Sequence, residues 1–430
     1  MQLSRHLLVR FVLIAAMFAG ILLSFKLWLT DRYYPHVPVW DDLPHVPKPF
    51  DSLIVAAMLF FLMASAVLVR ERWPVWAFLG TLVAWCMWDQ SRWQPWVYQY
   101  AFMMLAISSF PDDDADGTET ALNICRLILV ATYTWSGLQK INACFATDTY
   151  PWLMEPVVKA LPASMKWIVP KEGWHAAWTE FAIGVSLLVW PLRLVAVPMV
   201  VAMHLLILFC LWGQDWWNTV VWPWNLAMIA LNLILYVNTR DVKPWQIVLP
   251  RNSLRIFGLL FFADVKPAPL QPATTDVSKP SAVTETKPAP PPSPRVGQLA
   301  WDRGFLLGLV VLILFGVMPF FDWHGLWDSY LSAALYSGNT MHCRIIVTDD
   351  VLDRLPAKVR LKHTKINYVD INDWSFTELN VPTYPARRVF RKIALSLGSP
   401  EEVMLLVEER PDWDTPPNKR KVTRENLGKR

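Results

Sequence analysis

Nine apolar runs dominate this chain and dictate most of what it can become. They lie near residues 11–25, 52–69, 73–88, 96–110, 120–139, 173–191, 194–212, 218–237 and 304–321. A helix crossing a hydrocarbon layer about 30 Å thick needs about 20 apolar residues, and only bonds within the segment can satisfy its backbone. Composition agrees: 54% hydrophobic residues, 25 tryptophans and 18% charged residues set the chain apart from soluble domains, whose charged fraction is nearer a quarter. The expected fold is an all-α polytopic membrane protein of about nine transmembrane helices with a small C-terminal α+β appendix. The runs at 73–88 and 96–110 are short for a span, so tilting or partial re-entry would change the count by one or two.

Arg5 and Arg10 precede the first run, but no small-x-small cleavage pattern follows it, only KLWLTDRYYP. The run therefore reads as an uncleaved anchor. With nine alternating spans, Arg5, Arg10, Arg70, Arg72, Arg193 and the basic stretch after 240 share one side, which the positive-inside rule makes cytoplasmic. The 142–172 connection, with Lys159, Lys166 and Lys171, falls on the outer side against that rule, and the acidic PDDDADGTE falls inside. The C-terminal region is then outer, that is, periplasmic or lumenal.

Four segments follow. Residues 1–263 carry eight spans, and 264–298 form a linker rich in Pro, Ala, Thr and Lys that cannot bury enough apolar surface to fold. Residues 299–337 hold the last span and its exit. In 338–430, MHCRIIV, INYVDI and VMLLVEE read as strands and ARRVFRKIALSL as an amphipathic helix, before the basic tail NKRKVTRENLGKR. The net charge of +4 is modest and the basic residues cluster in particular loops, so no nucleic-acid groove is expected. The five cysteines show neither C-x-x-C nor metal-ligand spacing, so no metal is expected; Cys144 and Cys343 are the two that could meet on one side.

Tryptophans cluster in WGQDWWNTVVWPW, where Trp212, Trp216, Trp217, Trp222 and Trp224 suit headgroup depth; an aromatic quinone or lipid pocket is the other reading. More informative are the ionisable residues inside spans, each costing a few kcal/mol unless paired or hydrated. They are Arg126 and Lys140 in RLILVATYTWSGLQKIN, Glu180 in WHAAWTEFAIGVSLLVW and His204 in VVAMHLLILFCLW. On a helix Arg126, Tyr133, Gly137 and Lys140 fall at roughly 0°, −20°, +20° and −40°, one narrow stripe. Lys140 and Arg126 stand near helix ends, where snorkelling to the interface competes with an internal role. Glu180 lies deeper, and His204 reads either as an interhelical hydrogen-bonding group or as a base. Together they point to a polar intramembrane cavity.

The pattern R-x6-Y-x3-G-x2-K of Arg126, Tyr133, Gly137 and Lys140 resembles the family of vitamin K-dependent gamma-glutamyl carboxylase and its bacterial inner-membrane relatives with the horizontally transferred transmembrane (HTTM) domain. DQSRWQPWVYQY, with Asp89, Trp93 and Tyr98, resembles that family's entry into the preceding span. Glu180 with Gly184 resembles its acid-and-glycine helix, and His204 and PFFDWHGLWDSYLSAALYSGNTMH have counterparts too. The likeness covers roughly residues 5–400. It implies a quinone such as reduced vitamin K as cofactor, Lys140 as the initiating base, Glu180 and His204 as catalytic partners, and Arg126, Tyr133, Gly137, Asp89, Trp93 and Tyr98 as cofactor-binding residues. A lysine desolvated near Arg126 would have a depressed pKa suited to that role.

The chain departs from the family where Pro95 and Trp96 replace an Asn-His pair. Residues after 337 also give only a small appendix in place of the large region that grips a substrate propeptide. The expected partners are therefore membrane lipid and an amphipathic small molecule or protein substrate. Two functional classes stand: a membrane enzyme using Lys140, or a non-catalytic component of export or maturation that binds lipid or a partner and keeps its charges for packing. A transporter is a third class, for which the sequence shows no internal repeat.

Overall fold

A computed structural model describes residues 4–110, 114–214, 218–248, 303–359, 361–362 and 367–428. The linker at 264–298, Trp216 and Trp217 lie outside the described residues. Each apolar run is helical. The helices are α1 Arg5–Leu23, α2 Phe25–Trp28, α3 Phe50–Val67, α4 Trp73–Met87, α5 Pro95–Ser109, α6 Ala115–Gln139, α7 Tyr150–Ala160, α8 Trp174–Ser186, α9 Trp190–Gly213, α10 Val221–Tyr236 and α11 Pro244–Val248. The last run begins as α12, Arg303–Val311, and continues through wider turns at Leu312–Val317 and tighter ones at Met318–His324. Gly325, at φ +67°, ends it in the left-handed conformation that glycine adopts freely.

Five of these segments are long and apolar enough to cross a membrane: α1, α3, α6, α9 and Gly304–His324. The chain is therefore a multi-pass membrane protein. Two of the other runs, α4 and α10, are apolar but shorter. α8, at 13 residues, extends only about 20 Å, less than the hydrocarbon thickness.

α6 is the spine. It is buried over most of its length and packs against α5, α8, α10, α11 and α12, whereas α3 leaves most of its surface open. Its tightest neighbour is α8. A Cβ on Gly137 would lie 2.3 Å from the Phe181 backbone nitrogen, and one on Gly184 would lie 2.5 Å from that of Thr134. Small residues facing each other let two backbones approach where lipid supplies no hydrophobic drive for helix pairing.

Buried arginines close the helix ends. The last carbonyls of a helix have no partner inside it, and guanidinium groups from neighbouring helices supply donors. Arg10 donates to the carbonyls of Ser65, Val69 and Glu71 after α3, and Arg193 to those of Leu187 and Leu188 after α8. Arg92 serves Leu27 and Trp85, and Arg126 serves Leu235 in α10. Arg5 adds bonds to Val237 and Asn238. Arg5, Arg10 and Arg193 gather at the end of the bundle opposite Lys140, each bonded to backbone carbonyls.

At the end that carries Lys140, the connections weave into the C-terminal unit. Its elements are β1 His342–Val347, α13 Asp349–Arg354, β2 Leu361–Lys362, β3 Asn367–Asp370, α14 Ile371–Leu379, α15 Arg387–Leu397, β4 Val403–Glu408 and β5 Val422–Asn426. The sheet is antiparallel throughout, in order β2-β3-β1-β4-β5. Alternation puts Cys343, Ile345 and Val347 of β1 beside Val403, Leu405 and Val407 of β4 on the buried face, beneath α14 and α15. The sequence reading had β1, β3, β4 and α15, and lacked β2, β5, α13 and α14.

The unit is fastened at many points. The amides of Tyr33 and Tyr34 donate to the Glu378 carboxylate at 2.6 and 3.0 Å, the Ala143 amide to Trp413 O at 2.8 Å, and Asn142 to Ser337 O at 2.8 Å. Under this contact Asp89 receives the Arg32 guanidinium and the amides of Val37 and Ser91. Burial alone would raise the Asp89 pKa, but Arg32, His36 and Arg92 hold it far below the ordinary carboxylate range.

Two predictions follow from this packing. Gly137→Val should prevent α6 and α8 from closing, seen as loss of monodisperse protein on size exclusion in detergent. Asp89→Asn should destabilise by about 3–5 kcal/mol at pH 7, because it leaves Arg32 without its counter-charge. A depressed pKa contributes stability above the unfolded value near 3.9 and loses it as pH falls through the folded value, so the difference from the parent in thermal unfolding should shrink only below about pH 4.

Candidate intramembrane polar site

Three polar tiers climb one side of α6, separated by seven residues or about 10 Å each. The lowest is Arg126, fully buried. Its Nε donates to Leu235 O at 2.8 Å, and its Nη1 donates to Glu119 and Asn123, both at 2.6 Å. Tyr236 returns a bond to Arg126 O at 2.9 Å. Arg126 thus locks α6 to α10.

The middle tier is Tyr133. Its hydroxyl lies 2.8 Å from His204 Nε2 on α9 and accepts from Asn232 Nδ2 on α10 at 2.9 Å. His204 Nδ1 is 2.7 Å from Asn225 Oδ1, and Asn225 in turn donates to Val221 O. Three helices share this buried network. Because the Asn225 oxygen only accepts, Nδ1 carries the proton, and in the neutral ring Nε2 is then the acceptor for the tyrosine hydroxyl.

The top tier is Lys140, at the C-terminal cap of α6. Its amine lies 2.9 Å from Glu180 Oε2 and 2.5 Å from Ser136 Oγ. Both charged side chains keep slight access, 12% and 15% exposed. The glycine crossing places this pair: Gly137 and Gly184 bring α6 and α8 together, and Glu180 sits one turn from Gly184 on the face turned to α6. Above the pair Phe145, Tyr150 and Ala177 form a small apolar roof.

The structure joins Lys140 to Glu180 and, in a separate tier, Tyr133 to His204, so the groups do not converge on a single cavity. It keeps Arg126 apart, roughly 21 Å along the helix from Lys140. Asp89 and Trp93 belong to the connection before α5, where Asp89 holds Arg32 and Trp93 is half-buried against the core. Tyr98 stacks on Phe315 of the last span, with centroids 4.6 Å apart. The gap beside Tyr98, Trp135 and Phe315 holds about 20 Å³. Small-molecule sites run from about 300 to 1,000 Å³, so the residues there do not accommodate a naphthoquinone ring system.

A larger space lies just beyond Lys140. A cleft of about 430 Å³ opens between the connection after α6 and the sheet unit, lined by Cys144, Asp148, Trp152, His342, Cys343 and Glu408. Cys144 and Cys343 do reach the same cleft, both as free thiols. Among the described residues no group of three or more His, Cys, Asp or Glu side chains could hold a metal.

Asn225, Asn232 and Ser136 were missed in the sequence. Asn225 and Asn232 are seven residues apart in VWPWNLAMIALNLILY, a polar pair on one face of an apolar helix and a signal of the same kind as the α6 stripe. Trp212 is half-exposed as an interfacial anchor would be, while Trp224 turns inward to Gln99 at 2.8 Å.

Compared with protein families, curated proteins and solved structures, the chain matches none of them. The Tyr133 network yields its own expectation. Cross-helix hydrogen bonds in membranes average about 0.6 kcal/mol and reach about 1.7. Tyr133→Phe should therefore lower the unfolding midpoint in detergent by a few degrees without unfolding the protein.

Proposed function

We propose that this chain is a membrane enzyme whose Lys140–Glu180 pair moves a proton on an amphipathic substrate, small molecule or protein segment, admitted at the end of the bundle that carries the sheet unit. The carrying observation is the 2.9 Å contact between the two side chains at a partly accessible position, with a cleft of ligand size lined by Cys144 and Asp148 of the connection that follows Lys140. An amine and a carboxylate at hydrogen-bond distance share one proton. A substrate that takes the place of either partner leaves the other free to accept or donate it. Ser136 fixes the amine, and the glycine crossing fixes the carboxylate. The order and spacing of Arg126, Tyr133, Gly137, Lys140, Glu180 and His204 support a place near the carboxylase-like family. The small gap at Tyr98 gives a quinone no support, so no step is assigned to one.

A second reading rests on the closure of the Tyr133–His204–Asn225–Asn232 network, whose members bond chiefly to one another. In that reading the polar tiers glue helices together, and the protein serves export or maturation without chemistry.

The two readings separate in cells lacking the gene. Lys140→Ala and Glu180→Gln should reach the membrane at parental levels yet fail to restore the lost phenotype, and Lys140→Arg should fail as well. Full complementation by Lys140→Ala would remove the enzyme reading.

For orientation, we propose nine alternating passes with the N-terminus cytoplasmic and the sheet unit outside, supported by the basic residues at the opposite end. A membrane-impermeant maleimide should label Trp413→Cys in intact cells and Arg240→Cys only after lysis. The reverse pattern would invert the orientation.

A further inference from the structure

The last span leaves the bundle through a stretch whose large side chains face outward. Phe320 is 46% exposed, Trp323 41% and Leu326 72%, at the level where the helix gives way to the Gly325 turn. Beside this apolar edge lies a cavity of about 470 Å³, bounded by Trp323, Trp327 and Asp328 of the exit and by Arg387, Arg388 and Arg410 of the sheet unit. It shares only Met341 and Pro385 with the lining of the cleft beside Cys144 and Cys343.

The guanidinium groups are anchored. Arg387 reaches Glu409 at 2.5 Å and Glu425 at 3.2 Å, Arg388 donates to Asp328, and Arg410 Nη2 binds Asp322 at 2.5 Å and Ser329 Oγ at 2.7 Å. What the cavity lacks is acceptors. Arg410 Nη1 and the indole nitrogen of Trp327, both buried, have no hydrogen-bond partner. Buried donors are paired in nearly all native structures, so two from residues lining one cavity call for an oxygen-bearing group between them. Each of the lining arginines already has a carboxylate, Glu409 and Glu425 for Arg387, Asp328 for Arg388 and Asp322 for Arg410, so the cavity is short of acceptors and not of negative charge.

We propose that this cavity holds the phosphodiester headgroup of a membrane phospholipid, with Arg410 Nη1 and the Trp327 indole donating to its phosphate oxygens and the acyl chains lying along Phe320, Trp323 and Leu326. A phosphodiester supplies the missing acceptors. The apolar edge continues from the cavity toward the bilayer, which favours a lipid over a free anion. Occupancy would tie the last span to the sheet unit, because Trp327 and Arg410 come from opposite sides of the joint. The inference rests on the membrane topology and is independent of any chemistry at Lys140.

The test is native mass spectrometry of the whole protein released from phosphatidylcholine vesicles. One phosphatidylcholine should stay bound per chain. Arg410→Gln should lower the retained fraction about five-fold, the ratio for about 1 kcal/mol from one hydrogen bond. Because that change also removes a bond to Asp322, Trp327→Phe, which keeps an aromatic ring and removes the indole donor, should lower it as well in a protein of unchanged unfolding temperature. Excess inorganic phosphate should leave the lipid in place. No retained lipid, retention unaffected by either variant, or displacement by phosphate alone would overturn the proposal.

Discussion

A polar group in hydrocarbon has no water to turn to, so each one must find its partner in the protein. That constraint organises this molecule. Lys140 can sit inside the bundle only because Glu180 meets it, and Glu180 can meet it only because Gly137 and Gly184 let α6 and α8 cross at backbone contact. A side chain larger than hydrogen at either glycine would separate the helices and leave two charges each short of its partner.

Arginine solves the same problem at helix ends. Arg10, Arg193 and the Nε of Arg126 donate to carbonyls at the ends of neighbouring helices, and in doing so they set the axial offset of each helix against its neighbour. Both roles coexist in α6. Its lower charge is purely a fastener between helices, its upper charge keeps some access to solvent, and the tyrosine between them ties in two more helices. One helix face thus runs from a buried fastener to a partly accessible ion pair.

Much of this was legible beforehand. The nine apolar runs are all helical because hydrophobic segments of that length leave the backbone no alternative in lipid. The stripe of Arg126, Tyr133, Gly137 and Lys140 was visible because helical periodicity alone puts them together. Which residues from other helices meet them was not, since that depends on crossing geometry: Glu180 and His204 stood out as charged or titratable, while Asn225 and Asn232 were passed over as neutral. Spacing along a helix also hides distance, so Arg126 looked like a neighbour of Lys140 although roughly 21 Å of helix separates them. In the C-terminal unit alternation marked β1 and β4, but β5, with Arg424, Glu425 and Asn426, carries no apolar pattern and is recruited only by pairing with β4.

The attachment of the sheet unit has a consequence for how the protein is made. Tyr33 and Tyr34 emerge early in synthesis, yet the carboxylate that receives their amides belongs to Glu378, which the ribosome adds some 345 residues later. Until then the first connecting loop is held by Asp89 through Arg32 and Val37, and the two tyrosine amides lack their acceptor. The final architecture is accordingly sealed from the last-made end, and a chain interrupted anywhere before α14 would display that unfinished loop as a mark of incomplete biogenesis.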